Sequence, residues 1–242
     1  MSSAVVPYIA NMLFSTRLLK LKRALYERKR KRQQKGHVVT VYLSINDAYS
    51  YLLMQVLAEF KQRFGVEFDF RCVLNKQPEM YPAPKLWDKN AFNDGQYLSG
   101  LYGLDFPIKT PDASKLLDEQ ITAQLLHWEL EPGFFEKALP LFQHYWQGNN
   151  TEINKILNPA VTSHTECYQH HLLANESQLK QNGHYLSAML HYAGEWYWGL
   201  DRLQYLEQRL NDLALSNNNP HVKYNLGQKN FCQQLPEDKV RE

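Results

Sequence analysis

Residues 37–74, HVVTVYLSINDAYSYLLMQVLAEFKQRFGVEFDFRCVL, decide the fold of this chain. The first seven residues are mostly β-branched and apolar, which is typical of a buried strand. Apolar residues then recur at helical spacing from Ala48 to Phe64, and Gly65 stands at a common helix stop. From Val66 to Leu74 apolar and polar residues alternate, which indicates a second strand with one buried face. The stretch therefore predicts a βαβ unit with a right-handed crossover.

The rest of the chain predicts a helical block followed by a hairpin and a last helix. Residues 76–90 contain three prolines and predict a loop. Helical patterns follow at 92–102, 112–130, 133–147, 151–157 and 165–181. Strand patterns return at 186–192 and 195–198, and residues 200–213 predict an amphipathic helix. The order βαβ, helical block, ββα is the thioredoxin arrangement, so we predict an α/β thioredoxin-like fold with an inserted all-helical domain.

This order also gives boundaries for the parts of the chain. Residues 1–36 form a basic amphipathic N-terminal segment, called the basic arm below. Residues 37–75 and 183–215 form the thioredoxin-like domain, with the helical domain inserted at 76–182. Residues 216–242 are polar and predict an irregular tail.

Composition excludes several classes of protein. With 44% apolar and 21% charged residues in a length of 242, the chain can bury a sizeable core. No apolar run reaches the roughly 18 residues of a membrane-spanning helix. Cys72, Cys167 and Cys232 are too far apart for a CxxC pair. Without a secretory pattern or a Gly-rich phosphate loop, we expect a cytoplasmic protein with no nucleotide cofactor.

The basic arm concentrates the positive charge of the chain. Residues 1–36 contain ten Lys or Arg and one acid, a net charge of +9, whereas the remainder carries −7. Phe14, Leu18, Leu21 and Leu25 fall at helical spacing among these cations. Such a helix could contact an anionic membrane surface, nucleic acid, a protein partner or the acidic body of the chain itself. It could also be a solvated extension whose apolar stripe covers part of the core.

Four sequence motifs resemble one family of proteins. They are Asp47-Ala48-Tyr49-Ser50-Tyr51-Leu52, Tyr102-Gly103-Leu104-Asp105-Phe106-Pro107, residues 138–147 (ALPLFQHYWQ) and residues 194–203 (GEWYWGLDRL). In this order and spacing, they resemble 2-hydroxychromene-2-carboxylate isomerases and kappa-class glutathione transferases. Those proteins belong to the DsbA-like thioredoxin superfamily. The resemblance covers roughly residues 38–213.

The resemblance implies a glutathione site. In the family, a serine at the start of the first helix contacts the glutathione sulfur, and here Asp47 occupies that position, with Ser44 and Tyr49 beside it. A cis-proline turn binds the peptide-like part of glutathione, and Ser187 with Ala188 stands in its place. The family's glycine-x-Asp-Arg stretch matches Leu200 and Asp201, and its loop asparagine aligns near Tyr81.

The differences from the family leave two functions open. Because an ionised carboxylate repels a thiolate, Asp47 in place of serine weighs against glutathione chemistry. Without proline, we expect a trans peptide at Ala188. The first hypothesis is a glutathione-dependent isomerase or transferase, in which Asp47 is a polar group or general base and Asp201 binds the ligand's amine. The second is a catalytically inactive binding or scaffold protein that uses its groove or the basic arm. The ligand would be a small thiol or an aromatic molecule, and the resemblance implies a homodimer.

One further cluster raises the question of a metal. His164, Cys167, His170 and His171 have helical spacing, and imidazole with thiolate could bind zinc. A zinc site built on one helix usually needs ligands from elsewhere. We therefore interpret these residues as a polar helix with a half-buried cysteine, and we predict no metal.

Overall fold

The structure is a computed structural model, and it describes residues 15–217. The helices in this part are α1 (Thr16–Arg32), α2 (Ala48–Arg63), α3 (Pro84–Tyr102), α4 (Lys115–Glu129), α5 (Phe134–Trp146), α6 (Asn150–Ile156), α7 (Pro159–Thr162), α8 (Glu166–Gln181) and α9 (Leu203–Asn211). The strands are β1 (Val38–Leu43), β2 (Glu67–Cys72), β3 (Met189–Tyr192) and β4 (Glu195–Trp198). Within residues 15–217, the predicted order of the four strands and the longer helices is confirmed, with one short helix, α7, in addition.

The four strands form one mixed sheet in the order β2-β1-β3-β4. β1 and β2 are parallel, from the pair Val38 and Glu67 to the pair Leu43 and Cys72. β3 lies antiparallel to both β1 and β4. Parallel strands need a crossover connection, which α2 supplies, while β3 and β4 form a hairpin. The predicted thioredoxin-like fold, with helices α3–α8 inserted between β2 and β3, is therefore confirmed.

The core begins at α2. This helix buries Leu52, Leu53, Val56 and Leu57, each at most 2% exposed, beside the β1 residues Val39 and Val41. The same cluster continues into the inserted helices through Leu125 and Phe142. Because one apolar cluster spans both parts, the inserted helices share a core with the sheet, and the N-terminal end of α2 lies beside them.

The sequence prediction missed the first two turns of α3. Residues 76–90 were predicted to be a loop because of their prolines, but the helix starts at Pro84. Proline is well tolerated at the first helical position, since the N–H that it lacks has no partner inside the helix there. The short helix α7 was missed for the same reason, because it starts at Pro159.

The third strand is shorter than predicted. The apolar pattern indicated a strand from Leu186, but β3 starts at Met189. Ala188 has a φ of 54°, so the backbone turns just before the strand. Its carbonyl accepts a hydrogen bond from Gly199 N–H at 2.8 Å, which ties this turn to the end of β4. Every peptide bond in residues 15–217 is trans, including the one at Ala188.

The hairpin turn gives a first testable prediction. Ala193 and Gly194 both have positive φ, 55° and 79°, as a two-residue hairpin turn requires. This conformation costs an alanine about 1 kcal/mol, whereas asparagine tolerates it. Ala193→Asn should therefore raise the free energy of unfolding by about 0.5–1 kcal/mol in urea denaturation. Ala193→Val is the control and should lower it, because a β-branched residue resists positive φ. A loss of stability with asparagine would contradict this explanation.

The described part of the basic arm forms α1, which touches the body through polar contacts. Arg23 donates two hydrogen bonds to Glu195, at 2.8 and 2.6 Å. No residue of α1 is buried, and Leu21 and Leu25 are 55% and 56% exposed. The reading in which the apolar stripe covers the core is therefore wrong for Leu21 and Leu25. Phe14 lies outside the described residues.

No helix among residues 15–217 is long and apolar enough to cross a membrane.

The last described residues pack against the end of α2. Ser216 forms a β-bridge with Phe64, and Gly65 N–H donates to Leu215 O at 2.8 Å. The predicted tail beyond Asn217, including Cys232, lies outside the described residues.

Candidate functional site

The N-terminal end of α2 is closed by the side chain of Asp47. Its Oδ2 accepts hydrogen bonds from Ser50 N–H at 2.9 Å and from Ser50 Oγ at 2.7 Å. Ser44 N–H in turn donates to Ser50 Oγ at 3.1 Å. Aspartate is a preferred residue for such a cap, because the first N–H groups of a helix lack partners within it. The positive end of the helix dipole therefore already faces a carboxylate of the protein.

Asp47 is buried beside two serine side chains. Only 8% of the residue is exposed, and this burial raises the pKa of the carboxyl, while hydrogen bonds from Ser50 and Ser187 lower it. The negative charge of Asp47 helps to raise the pKa of Tyr81, which is itself buried. The structure thus places Ser187, which precedes Ala188 in the chain, in hydrogen-bond contact with Asp47.

A cleft of about 220 Å³ opens in front of the α2 N-terminus. One wall comes from Asn46, Asp47 and Ala48, and the others come from Lys76, the inserted helices and the loop between α3 and α4, which contributes Thr110 and Pro111. The lining residues from those helices are Asp88, Ala91, Phe92, Asp118, Tyr145 and Trp146. We call this space the cleft. Such a mixture of aromatic walls and a few polar groups is common in small-molecule sites.

The charges in the cleft are mainly negative. Asp118 accepts hydrogen bonds from Tyr145 Oη at 2.8 Å and from Asn46 Nδ2 at 3.0 Å. Burial raises the pKa of Asp118, and these two hydrogen bonds oppose the rise. Lys76 is the one cation in the lining, and it forms an ion pair with Asp88. Three carboxylates against one ammonium group give the cleft a net negative charge.

Asp201 belongs to a second acidic group. Tyr49 Oη donates to Asp94 Oδ2 at 2.9 Å, and the Tyr49 ring lies 4.9 Å from the Trp198 ring. Asp201 is exposed at the end of β4, and desolvation by its neighbours and the charge of Asp94 raise its pKa. Burial and the hydrogen bond to Asp94 raise the pKa of Tyr49, and the charges of Asp47 and Asp201 add to the rise. Leu200, the remaining predicted ligand residue, is 5% exposed and packs in the core.

A polar cluster centred on Glu129 was not predicted from the sequence. Its side chain is 2% exposed and accepts a hydrogen bond from Cys72 N–H. Asn175 Nδ2 donates to its two oxygens at 3.1 and 3.0 Å, and His171 Nε2 lies 3.0 Å from Oε2. This cluster joins β2 to α4 and α8. A lone Glu at the end of a helical pattern looks exposed, so only the burial of α4 against β2 could have identified it.

Glu129 gives a testable pH dependence. Burial raises its pKa from 4.5 to about 7, so its contribution favours folding below pH 4.5 and is lost as the pH rises through 7. Burial and the charge of Arg71 lower the pKa of His171 below 6.5. The contribution of His171 to the free energy of unfolding is therefore present above pH 6.5 and is lost as the pH falls below that value. Comparison with Glu129→Gln isolates the first effect. We expect the stability advantage of the wild type over this variant to shrink by about 2–3 kcal/mol from pH 5 to pH 8. A constant difference would contradict the raised pKa.

The residues considered as metal ligands do not converge on one site in residues 15–217. His171 contacts Glu129, while His164, Cys167 and His170 are exposed. Within residues 15–217, no group of three or more His, Cys, Asp or Glu side chains is placed to hold a metal ion.

Comparison with known proteins gives a likeness of structure only. No family model matches the sequence, and no curated protein matches it. A solved 2-hydroxychromene-2-carboxylate isomerase superposes with a TM-score of 0.55 at 16% identity, covering 73% of this chain and 96% of that one. A protein assigned as a DsbA oxidoreductase in Streptomyces coelicolor gives 0.54 at 16% identity, covering 77% and 93%. One assigned as a protein disulfide isomerase in Nitrosomonas europaea gives 0.52 at 14% identity, covering 74% and 98%. The chain therefore has a DsbA-like thioredoxin fold.

Proposed function

We propose that this chain is a thioredoxin-fold protein that binds a small aromatic ligand in the cleft without thiolate chemistry. The observation that carries the proposal is the buried Asp47 carboxylate, which accepts the Ser50 N–H at the start of α2. A thiolate at that helix end would face this carboxylate and would compete with it for the same N–H groups. The N–H groups at the start of α2 that could stabilise a thiolate are therefore already bonded to the capping side chain of Asp47.

The cleft itself supports an aromatic ligand that is neutral or positively charged. Phe92, Tyr145 and Trp146 offer ring faces, and Asp118 is half-buried between them and Asn46. A cation beside these rings and carboxylates gains both electrostatic attraction and cation–π contact. The volume of about 220 Å³ fits one ring with a short substituent.

Titration with three matched probes tests this proposal. Benzylamine, benzyl alcohol and benzoate share a ring and differ in charge. Isothermal titration should show benzylamine binding at least about tenfold more tightly than benzoate, with the alcohol between them. Asp118→Asn should reduce that preference, whereas Asp212→Asn, at an exposed residue after α9 and away from the cleft lining, should leave it unchanged. Equal binding of benzylamine and benzoate, or no binding of either, would refute the proposal.

A second candidate is a glutathione-dependent isomerase or transferase. The position of Asp201 at the end of β4 favours it, because the resembling family holds the glutathione amine with an Asp there. The fold likeness to a 2-hydroxychromene-2-carboxylate isomerase also favours it. The test is conversion of 2-hydroxychromene-2-carboxylate with and without reduced glutathione. Turnover that requires glutathione and is lost in Asp201→Asn would establish this candidate, and absent turnover would exclude that substrate.

Two further expectations belong to this proposal. A cytoplasmic location agrees with the exposed thiol of Cys167, because a reducing compartment keeps such a thiol from pairing. A homodimer, as the resemblance implies, remains a prediction that sedimentation analysis would test.

A further inference from the structure

We propose that α1 docks the protein on an anionic lipid bilayer, with Leu21 and Leu25 inserted between the headgroups. The inference is independent of the cleft and its ligand. It rests on three features of the described residues, which are the side of α1 that faces the body, the exposure of its leucines, and the distribution of its charge.

The helix presents two different sides. Arg23, Glu27 and Arg30 are spaced by four and three residues, so they share one side of α1. These residues are half-buried, and Arg23 pairs with Glu195 of β4 there. Leu21 and Leu25 lie on the opposite side, where they are 55% and 56% exposed. Contact with the body and contact with a surface can therefore occur together.

The cations of α1 surround this exposed apolar side. Eight basic residues of the arm are exposed and form no ion pair with any other residue of 15–217; they are Arg17, Lys20, Lys22, Arg28, Lys29, Lys31, Arg32 and Lys35. Arg28 and Arg32 continue the side of Leu21 and Leu25 by one and two further turns. Apolar side chains next to many cations are the composition of helices that lie in a membrane interface.

An adjoining groove also fits a lipid headgroup. It has a volume of about 390 Å³ and lies between the C-terminal half of α1 and the start of β1. Its lining includes the cationic Lys29 and Lys35 and the apolar residues Tyr26 and Val38. An anionic headgroup with the start of its acyl chains would meet complementary charge and apolar surface there.

The leucines favour a bilayer over nucleic acid as the partner. A phosphate backbone would satisfy the eight cations, but it offers no apolar region for Leu21 and Leu25. A bilayer interface offers both a negative surface potential and hydrocarbon within one helix diameter. The leucines therefore provide the experimental distinction between these two partners.

Vesicle co-sedimentation of the full chain tests the proposal. Vesicles of phosphatidylcholine with about 30% phosphatidylserine should bind the protein at least about tenfold more tightly than pure phosphatidylcholine vesicles. Raising the salt concentration from about 0.1 M to about 0.5 M should weaken this binding. The double variant Leu21→Gln with Leu25→Gln keeps the charge and a similar helix propensity, so it should lose about tenfold or more in affinity.

The control variant carries the same substitutions at exposed leucines of the inserted helices. Leu130 and Leu173 are 74% and 55% exposed, so Leu130→Gln with Leu173→Gln should leave vesicle binding unchanged. Circular dichroism checks that all variants keep their helices. The proposal is overturned if the α1 variant binds vesicles as the wild type does, or if the wild type ignores phosphatidylserine. It is also overturned if a DNA duplex or single-stranded RNA binds more tightly than the vesicles at equal salt.

Discussion

Glu129→Ala should lower the free energy of unfolding by about 3–5 kcal/mol. The carboxylate is 2% exposed and is the shared acceptor for Cys72 N–H, the Asn175 amide and His171. Alanine would leave the Cys72 N–H without its acceptor, although Asn175 would keep its hydrogen bond to Cys72 O, and it would leave a cavity where β2, α4 and α8 meet. Because small domains have a stability of only about 5–15 kcal/mol, the loss would be visible at once in urea denaturation.

Two variants separate the loss of hydrogen bonds from the loss of volume. Glu129→Gln fills the site and keeps an oxygen for Cys72 N–H, so it should cost less than half as much as alanine at neutral pH. Glu131→Ala removes a glutamate whose ion pair with Lys137 is screened by solvent, so it should change stability far less than Glu129→Ala does. Equal effects of Glu129→Ala and Glu131→Ala would show that the cluster does not join the inserted helices to the sheet.

Trp146→Ala should have an effect of similar size, with a loss of about 3–5 kcal/mol. The indole is 5% exposed and stacks on the Tyr51 ring at 5.6 Å with an angle of 2° between the planes. Its Nε1–H donates to Ile45 O at 3.0 Å, which ties α5 to the loop before α2. Because Trp146 also lines the cleft, the variant should lose binding of benzylamine as well as stability.

The phenylalanine variant distinguishes the two contributions of Trp146. Trp146→Phe keeps a ring over Tyr51 but cannot donate to Ile45 O, and it should cost about 1–2 kcal/mol. Thermal or urea denaturation of both variants gives the comparison. If alanine costs no more than phenylalanine, the stacked ring contributes little and the account of this wall of the cleft is wrong.

The fold was predictable from local patterns because its elements have strong periodicity. Residues 37–74 predicted the βαβ unit, and the strand patterns at 186–192 and 195–198 predicted the hairpin. The failures came at the prolines that start α3 and α7 and at the turn before β3. Apolar residues from Leu186 predicted strand, but the positive φ of Ala188 delays β3 to Met189. Nothing in a periodic pattern reports such a φ.

The candidate site was predictable only in part. The sequence placed Asp47 at the start of a helix and Ser187 near it, and the structure brings both to one place. The cleft needed the inserted helices, because Asp118 reaches it from a position 71 residues further along the chain. The Glu129 cluster depends on three segments that are distant in sequence, so no spacing could reveal it. For the same reason, the side of α1 that faces solvent was not predictable.

Calorimetric titration of the wild-type chain with reduced glutathione tests the central claim most directly. The claim is that the Asp47 carboxylate occupies the helix end that would otherwise stabilise a thiolate. It predicts no saturable binding up to about 10 mM glutathione, the range in which even a weak site with a dissociation constant of about 1 mM would saturate. Saturable binding in that range, abolished by Asp201→Asn, would contradict the claim and would establish a glutathione site.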